Sequence, residues 1–337
     1  MEKVNALRRT SQIFFFILIV YMGVIGAQNL GLAMEQSQTD ELEQGSALTA
    51  TPSGYYEILD TYGPVKTCRY VSGDTRLFKG CALHYFSKTL TTFSSLNFAF
   101  VLPHLLLFFG LAFLFGRLFC GWMCPIGFLE EIMIIARKKL GIRHVKIPES
   151  VKANMARLRY AFLAIIFIIS FAIAVPLFGL MAFQKDLYIL GCQICPARVI
   201  LPFLGGLQPI IYSFNTPLVI VASSIGVVLL GLYLSGIIFR RPWCRICPSG
   251  AMLSLFNSGS ILTKEKDVQK CTSCGICSRV CMLDNKNVYL EKKDKNISTA
   301  NCVRCFRCIE KCPEEDCLKL KFLGKTIYSS GGKMKKR

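Results

Sequence analysis

The sequence predicts an α-helical membrane bundle of four transmembrane helices, followed by a small α+β domain organised around metal centres. Three observations predict it. Apolar runs of about 20 residues, the length that crosses a bilayer, fall at 13–34, 98–119, 158–180 and 218–239. Seventeen cysteines are grouped in pairs and quartets at metal-ligand spacing. The 337-residue chain is 53% hydrophobic with mean hydropathy +0.44, yet its formal charge is +19. That combination does not suit an ordinary soluble domain, but it suits apolar spans with basic loops on one side.

The distribution of Lys and Arg orients the spans. The first span follows Lys3, Arg8 and Arg9, and the 120–157 stretch carries Arg137, Lys138, Lys139, Arg143, Lys146, Lys152 and Arg157. The chain from Arg240 onward is again basic. Between the first two spans, Lys66, Arg69, Arg76, Lys79 and Lys88 are outnumbered by seven acidic residues. The 181–216 loop holds only Lys185 and Arg198. Both chain ends are therefore expected on the cytoplasmic side of a prokaryotic inner membrane, with 35–97 and 181–216 facing outward. A cleaved signal peptide is the competing reading of the first span, given the small residues near Gly26 and Ala27. Nucleic acid is not an expected partner, because the basic residues flank apolar spans and form no separate patch.

The strongest motif lies near the C-terminus. Cys271-x2-Cys274-x2-Cys277-x3-Cys281 is followed by Cys302-x2-Cys305-x2-Cys308-x3-Cys312-Pro313. This is the bacterial pattern for two [4Fe–4S] clusters, in which the last cysteine of each run ligates the other cluster. It assigns Cys271, Cys274, Cys277 and Cys312 to one cluster, and Cys302, Cys305, Cys308 and Cys281 to the other. A pair of zinc sites is the weaker alternative. Gly275 suits a tight cluster-binding loop, and Cys317 reads as a plain thiol outside both runs. The domain is expected at 262–320, after a membrane domain at 1–261 and before a basic tail at 321–337.

Eight cysteines remain. Phe119-Cys120-Gly121-Trp122-Met123-Cys124-Pro125-Ile126-Gly127 follows the second span, and Trp243-Cys244-Arg245-Ile246-Cys247-Pro248-Ser249-Gly250 follows the fourth. The two form an internal repeat, in which proline after the second cysteine suits the first turn of a helix. The helix after the first motif starts with Glu130 and Glu131 and ends with Lys138 and Lys139, an order that complements the helix dipole; it reads as interfacial. Cys68, Cys81, Cys192 and Cys195 form a matching outer set, which suggests parallel halves. For Cys120, Cys124, Cys244 and Cys247 the readings are a third cluster at the inner face, a redox-active dithiol pair, or buried thiols. For Cys68, Cys81, Cys192 and Cys195 they are a fourth cluster or disulfides.

These residues resemble the NapH/MauN family of ferredoxin-type membrane proteins, to which the NosR regulators and CcoG assembly proteins are related. The likeness rests on Cys120-Gly-Trp-Met-Cys-Pro-Ile-Gly, on Cys244-Arg-Ile-Cys-Pro-Ser-Gly and on the two cysteine runs, and covers roughly 98–315. It implies four spans, a cytoplasmic ferredoxin domain with two [4Fe–4S] clusters, and electron exchange with quinones, reductases and partner ferredoxins. The chain departs from the family in having two residues rather than three between Cys244 and Cys247. Cys192/Cys195 lie outside the family pattern, and no large outer flavin domain of the NosR type fits in the loops.

Trp122 and Trp243 are expected as interfacial anchors, with cluster shielding as the sharper alternative. Arg117, Arg240, Arg241 and Arg245 are expected from orientation, and would also raise the potential of a nearby anionic cluster. His84, His104 and His144 supply no facing pair for a haem. The functional expectation is a membrane-bound electron carrier, a subunit of an oxidoreductase system more than a stand-alone enzyme. It would relay single electrons between cytoplasmic clusters and membrane or outer-face sites, with redox proteins and the quinone pool as partners. The alternatives are a transmembrane dithiol/disulfide reductant, and a redox assembly factor or sensor. A bilayer core of about 30 Å is too wide for one hop between its faces, so a full crossing requires recessed clusters, a bound quinone or another carrier.

Overall fold

The computed structural model describes residues 3–28, 62–63, 68, 80–91, 98–143, 145–175, 183–187, 189–206, 216–292 and 295–331. Among these, two helices are long and apolar enough to cross a membrane, Glu149–Ala174 and Pro217–Ile237. They correspond to the third and fourth expected spans. Glu149 in the first turn of the former suits the helix dipole. That helix ends where Val175 turns extended ahead of Pro176, as the residue before a proline must. Its buried residues Met155, Arg159, Leu163, Ile166, Ser170 and Ile173 recur at helical spacing, so one stripe packs inward. In the other helix Thr216 caps the start by accepting from the Val219 N–H, with Pro217 at the first position.

The second expected span falls on Phe98–Phe115, where the apolar stretch Val101–Phe115 is shorter. It stops because Gly116, at φ +51°, turns the chain. The first falls on Lys3–Gln28; its expected end at 29–34 lies outside the described residues. The opening turns of that helix are polar and buried, through Asn5, Arg8 and Gln12.

Two segments expected as outer loops fold back into the bundle. The short helix Ala82–Thr91 packs along Glu149–Ala174 and reaches Pro248–Leu255. Leu190–Gln193 lies beside it, where a Cβ on Gly191 would sit 3.1 Å from the Leu83 side chain, and Ala197–Leu204 packs against Lys3–Gln28. Leu201 and Leu83 are both buried. These elements are too short for a span criterion to find.

The C-terminal domain carries a four-stranded antiparallel sheet in the order Lys295–Asn296, Leu262–Lys266, Leu318–Phe322, Lys325–Ser329. The expected boundary at 320 cuts its last hairpin, which turns at Gly324 and continues the sheet to Ser329. In Leu262–Lys266 the inward residues are Leu262, Lys264 and Lys266. Two lysines thus occupy positions where a strand over a core normally places apolar residues.

This domain docks tightly on the bundle. Phe115, Leu118 and Trp122 pack against its core, and the Phe115 and Phe322 rings stack at 6.4 Å. Trp122 Nε1 donates to the Arg304 carbonyl at 3.1 Å. Arg304 donates to the Phe115 carbonyl at 3.0 Å and to the Ser260 hydroxyl. At the closest approach, a Cβ on Gly121 would lie 2.4 Å from the Val303 carbonyl oxygen. Only glycine fits there, because the obstacle is backbone. Gly121→Ala is therefore expected to destabilise the docked state by about 1–3 kcal/mol. Limited proteolysis of the purified protein should show faster cleavage near 256–261 than in wild type.

Candidate metal centres

The two cysteine runs fold into near-identical loops. Ser273 and Arg304, at equivalent positions, have φ +55° and +49°. Gly275 and Phe306, also equivalent, have φ +71° and +57°. Alternating left-handed residues curl backbone N–H groups into a concave nest that favours an anion. A phenylalanine in this conformation is unusual; Phe306 is buried there and packs on Trp122 at 6.0 Å. Each loop ends in a one-turn helix, Ile276–Arg279 or Arg307–Glu310.

Cys271, Cys274, Cys277 and Cys312 line one pocket. Cys274 is exposed, so this centre adjoins solvent. Cys317 also lines it, buried, with its thiol toward the Asp267 carbonyl. Burial, then the neighbouring Cys312 and Cys271, push the Cys317 thiol up to about 12. The sequence reading of a plain thiol outside both runs gave no sign of this position.

Cys302, Cys305, Cys308 and Cys281 surround the buried ammonium of Lys264, which donates to Cys302 Sγ at 3.4 Å and to Cys308 Sγ at 3.6 Å. Burial and the mutual repulsion of these sulfurs push Cys308 up to about 12 and Cys281 to about 11. At Cys302 burial raises the thiol, but Lys264 and the Arg304 N–H outweigh it and the net shift is downward. Four thiolates crowded out of water require positive charge, which iron and Lys264 both supply. Lys264 was not singled out from sequence. The only signal was its inward register in a charged strand.

A third constellation lies in the bundle. Cys120, Cys124, Cys244 and Cys247 line one cavity, with Arg117, Trp243 and Gly250. The cysteines sit on one-turn helices, Leu118–Trp122 and Trp243–Ile246, and on the Cys-Pro junctions that follow. The glycine of each Cys-Pro-x-Gly allows close packing. A Cβ on Gly127 would meet the Cys120 carbonyl at 3.2 Å, and one on Gly250 would meet Arg117 Nη2 at 3.1 Å. Trp243 is 2% exposed; it walls the cavity instead of anchoring at a lipid interface. Trp122 is likewise committed to the domain seam.

The charges around this cavity are buried. Arg117, Arg241 and Arg245 are nearly inaccessible. Arg241 Nε and Nη1, Arg117 Nε and Arg245 Nε find no hydrogen-bond acceptor among the described residues. Buried cations with spare donors beside four cysteines fit a thiolate-ligated cluster, which is an anion with sulfur acceptors. Glu130 and Glu131 do more here than complement a dipole. Glu131 pairs with Arg8 at 2.7 Å and Arg241 at 3.0 Å. Burial raises its carboxyl, but the two guanidiniums outweigh that and hold it at about 2. Glu130 accepts from the Trp243 N–H and the Cys244 thiol, both at 2.9 Å, and burial pushes it up to about 7.

Cys68, Cys81 and Cys195 are buried, and Cys192 is half-buried. Cys81 Sγ lies 3.9 Å from Ser249 Oγ, and Ser249 also lines the third cavity. His84 is buried and His104 stacks on Tyr85 at 5.1 Å; His144 lies outside the described residues.

Fold and cysteine arrangement define an iron–sulfur protein with a ferredoxin-type double-cluster domain. The family profile described as "4Fe-4S binding domain" matches twice, at 98–143 and 220–264, and "4Fe-4S dicluster domain" matches 263–313. The double match coincides with the repeat seen in the sequence. The chain is 30% identical over 210 residues to the uncharacterized protein MJ0750 of Methanocaldococcus jannaschii, covering 61% of this chain and 72% of that one. It is 25% identical over 223 residues to the ferredoxin-type protein NapH of Escherichia coli, 64% of each chain. To the regulatory protein NosR of Stutzerimonas stutzeri it is 28% identical over 198 residues, 58% of this chain but 23% of NosR. No solved structure matches. The chain belongs to the NapH/NosR-type iron–sulfur family and binds [4Fe–4S] clusters.

Two outcomes follow from these charges. Lys264→Gln removes a cation that donates to two cysteine sulfurs. The midpoint potential of one cluster should become more negative by on the order of 60 mV, the one-electron equivalent of ~1.4 kcal/mol, read by EPR-monitored titration. Glu131→Gln leaves Arg8 and Arg241 buried without their anion, at a cost of about 3–5 kcal/mol, read as a lowered Tm in detergent. Because the folded Glu131 carboxyl lies below the ordinary 4.5, its contribution in wild type is complete above that pH and is lost as pH falls toward 2.

Proposed function

We propose that the chain is a membrane-bound relay that passes single electrons between solvent-side clusters and a cluster inside the bundle. The three centres are Cys271/Cys274/Cys277/Cys312 at the surface, Cys302/Cys305/Cys308/Cys281 behind it, and Cys120/Cys124/Cys244/Cys247 in the bundle. The observation that carries this reading is the seam between the second and third. Cys305, Cys244, Val303, Met282 and Leu283 form one buried cluster, against which Cys120 and Cys281 pack. Ligand cysteines of two centres therefore share a single water-free contact.

A [4Fe–4S] cluster supplies a one-electron couple whose potential depends on charge, hydrogen bonds and burial. The residues of the chain set those terms in order. The first centre is partly exposed, the second holds a buried ammonium, and the third is ringed by guanidiniums. Four spans, cytoplasmic chain ends and an inner-membrane location complete the reading. It rests on the two apolar helices, on Lys/Arg placement and on the membrane character of the family. Quinones and redox proteins are the partners that fit such a carrier.

Cys120→Ser/Cys244→Ser tests it. The variant should contain about four irons fewer than wild type. Its remaining clusters should still reduce with dithionite but no longer reoxidise with a membrane quinone analogue. Unchanged iron, with thiols that alkylate only after reduction, would instead identify the pairs as a dithiol/disulfide couple.

A further inference from the structure

The bundle contains a third copy of the local architecture that carries the cysteine pairs. Arg241 has a left-handed backbone at φ +48°, Cys244 lies three residues on in a one-turn helix, and Cys247 three residues further, followed by Pro248 and a second helix. Ile189 repeats it at φ +51°, with Cys192 in the one-turn helix Leu190–Gln193, then Cys195, Pro196 and the helix Ala197–Leu204. The second cysteine N–H closes the turn in both, Cys247 on the Trp243 carbonyl at 2.9 Å and Cys195 on the Cys192 carbonyl at 3.3 Å. An isoleucine at positive φ is a costly choice, since a β-branched side chain crowds the backbone there. It is held in place by complete burial at 1% exposure. Such strain persists where surroundings impose it, and it marks functional geometry.

The other half of the constellation faces this one. The two-residue strands Tyr62–Gly63 and Gly80–Cys81 pair in parallel and lead into the helix Ala82–Thr91, which packs on Leu190–Gln193. Cys68, Cys81 and Cys195 belong to the same buried apolar core. Cys81 in turn reaches Ser249, two residues beyond Cys247. Ser249 also lines the third centre, so Cys81 lies one side chain away from it.

We propose that Cys68, Cys81, Cys192 and Cys195 hold a further [4Fe–4S] cluster, recessed in the bundle directly against the Cys120/Cys124/Cys244/Cys247 centre. The proposal extends the relay reading and rests on it. It also supplies what a crossing requires, because a recessed site shortens the step that a bilayer about 30 Å thick would impose between its two faces.

The test is the iron and acid-labile sulfide content of full-length, anaerobically purified protein, with EPR of the reduced samples. Wild type should hold about sixteen irons, and Cys192→Ser/Cys195→Ser about twelve, with the ferredoxin-domain signals intact. Where that double variant does not accumulate, Cys81→Ser and the wild-type count decide the matter. About twelve irons in wild type, unchanged by Cys192→Ser/Cys195→Ser and lowered by Cys120→Ser/Cys244→Ser, would overturn the fourth site and leave the relay standing. About eight irons in wild type would overturn both.

Discussion

Arg304 of the C-terminal domain reaches into the bundle, where it donates to the Phe115 carbonyl and the Ser260 hydroxyl. Arg117 of the bundle reaches back, donating to the Ala300 carbonyl at 2.9 Å and the Cys244 carbonyl at 3.1 Å. Both guanidiniums are about 1% exposed. Removing either leaves buried carbonyls without donors, and burying an unpaired polar group is costly. This exchange of arginines fixes the domain against the bundle. The spacing between cysteine centres, and any electron path between them, depends on it. Asn257 strengthens the same seam, donating to the Cys302 carbonyl at 2.9 Å and accepting from the Arg117 N–H at 3.1 Å. The side chain thus joins the backbone of a cysteine loop to the turn that precedes Cys120.

Charge follows the same logic. A chain of +19 is expected to keep its cations in water, yet Arg8, Arg117, Arg241, Arg304, Lys264 and Lys266 are all buried. Burial of a cation is tolerable where it is paired or hydrogen-bonded. Glu131 serves Arg8 and Arg241, carbonyls serve Arg304 and Lys266, and cysteine sulfurs serve Lys264. Of these buried cations, Arg117, Lys264 and Lys266 stand beside the cysteine sites that thiolate clusters would occupy. Fold stability and cluster binding are therefore coupled through the same side chains.

Much of this was legible in the sequence because cysteine spacing is a local signal. The two runs and the repeated Cys-Pro-x-Gly motif could be read directly. The buried charges could not. Lys264 is a strand residue in a charged stretch, and its partners Cys302 and Cys308 lie far along the chain. Glu131 and Arg8 meet only after the N-terminal helix packs on Pro125–Lys139. The segments at 80–91 and 189–204 read as loops because each is too short to span a bilayer, whereas the fold inserts them between longer helices. Phe306 hides the symmetry of the two cysteine loops, since only its backbone angle matches Gly275.

The central claim is that the second and third centres are electronic neighbours, and magnetic coupling tests it most directly. EPR of the fully reduced protein should show spectra broadened by spin–spin interaction between adjacent reduced clusters. That broadening should diminish in Cys120→Ser/Cys244→Ser, leaving the pattern of the ferredoxin domain alone. Spectra of the same width and shape in both proteins, with the iron of the bundle present in wild type, would contradict the account.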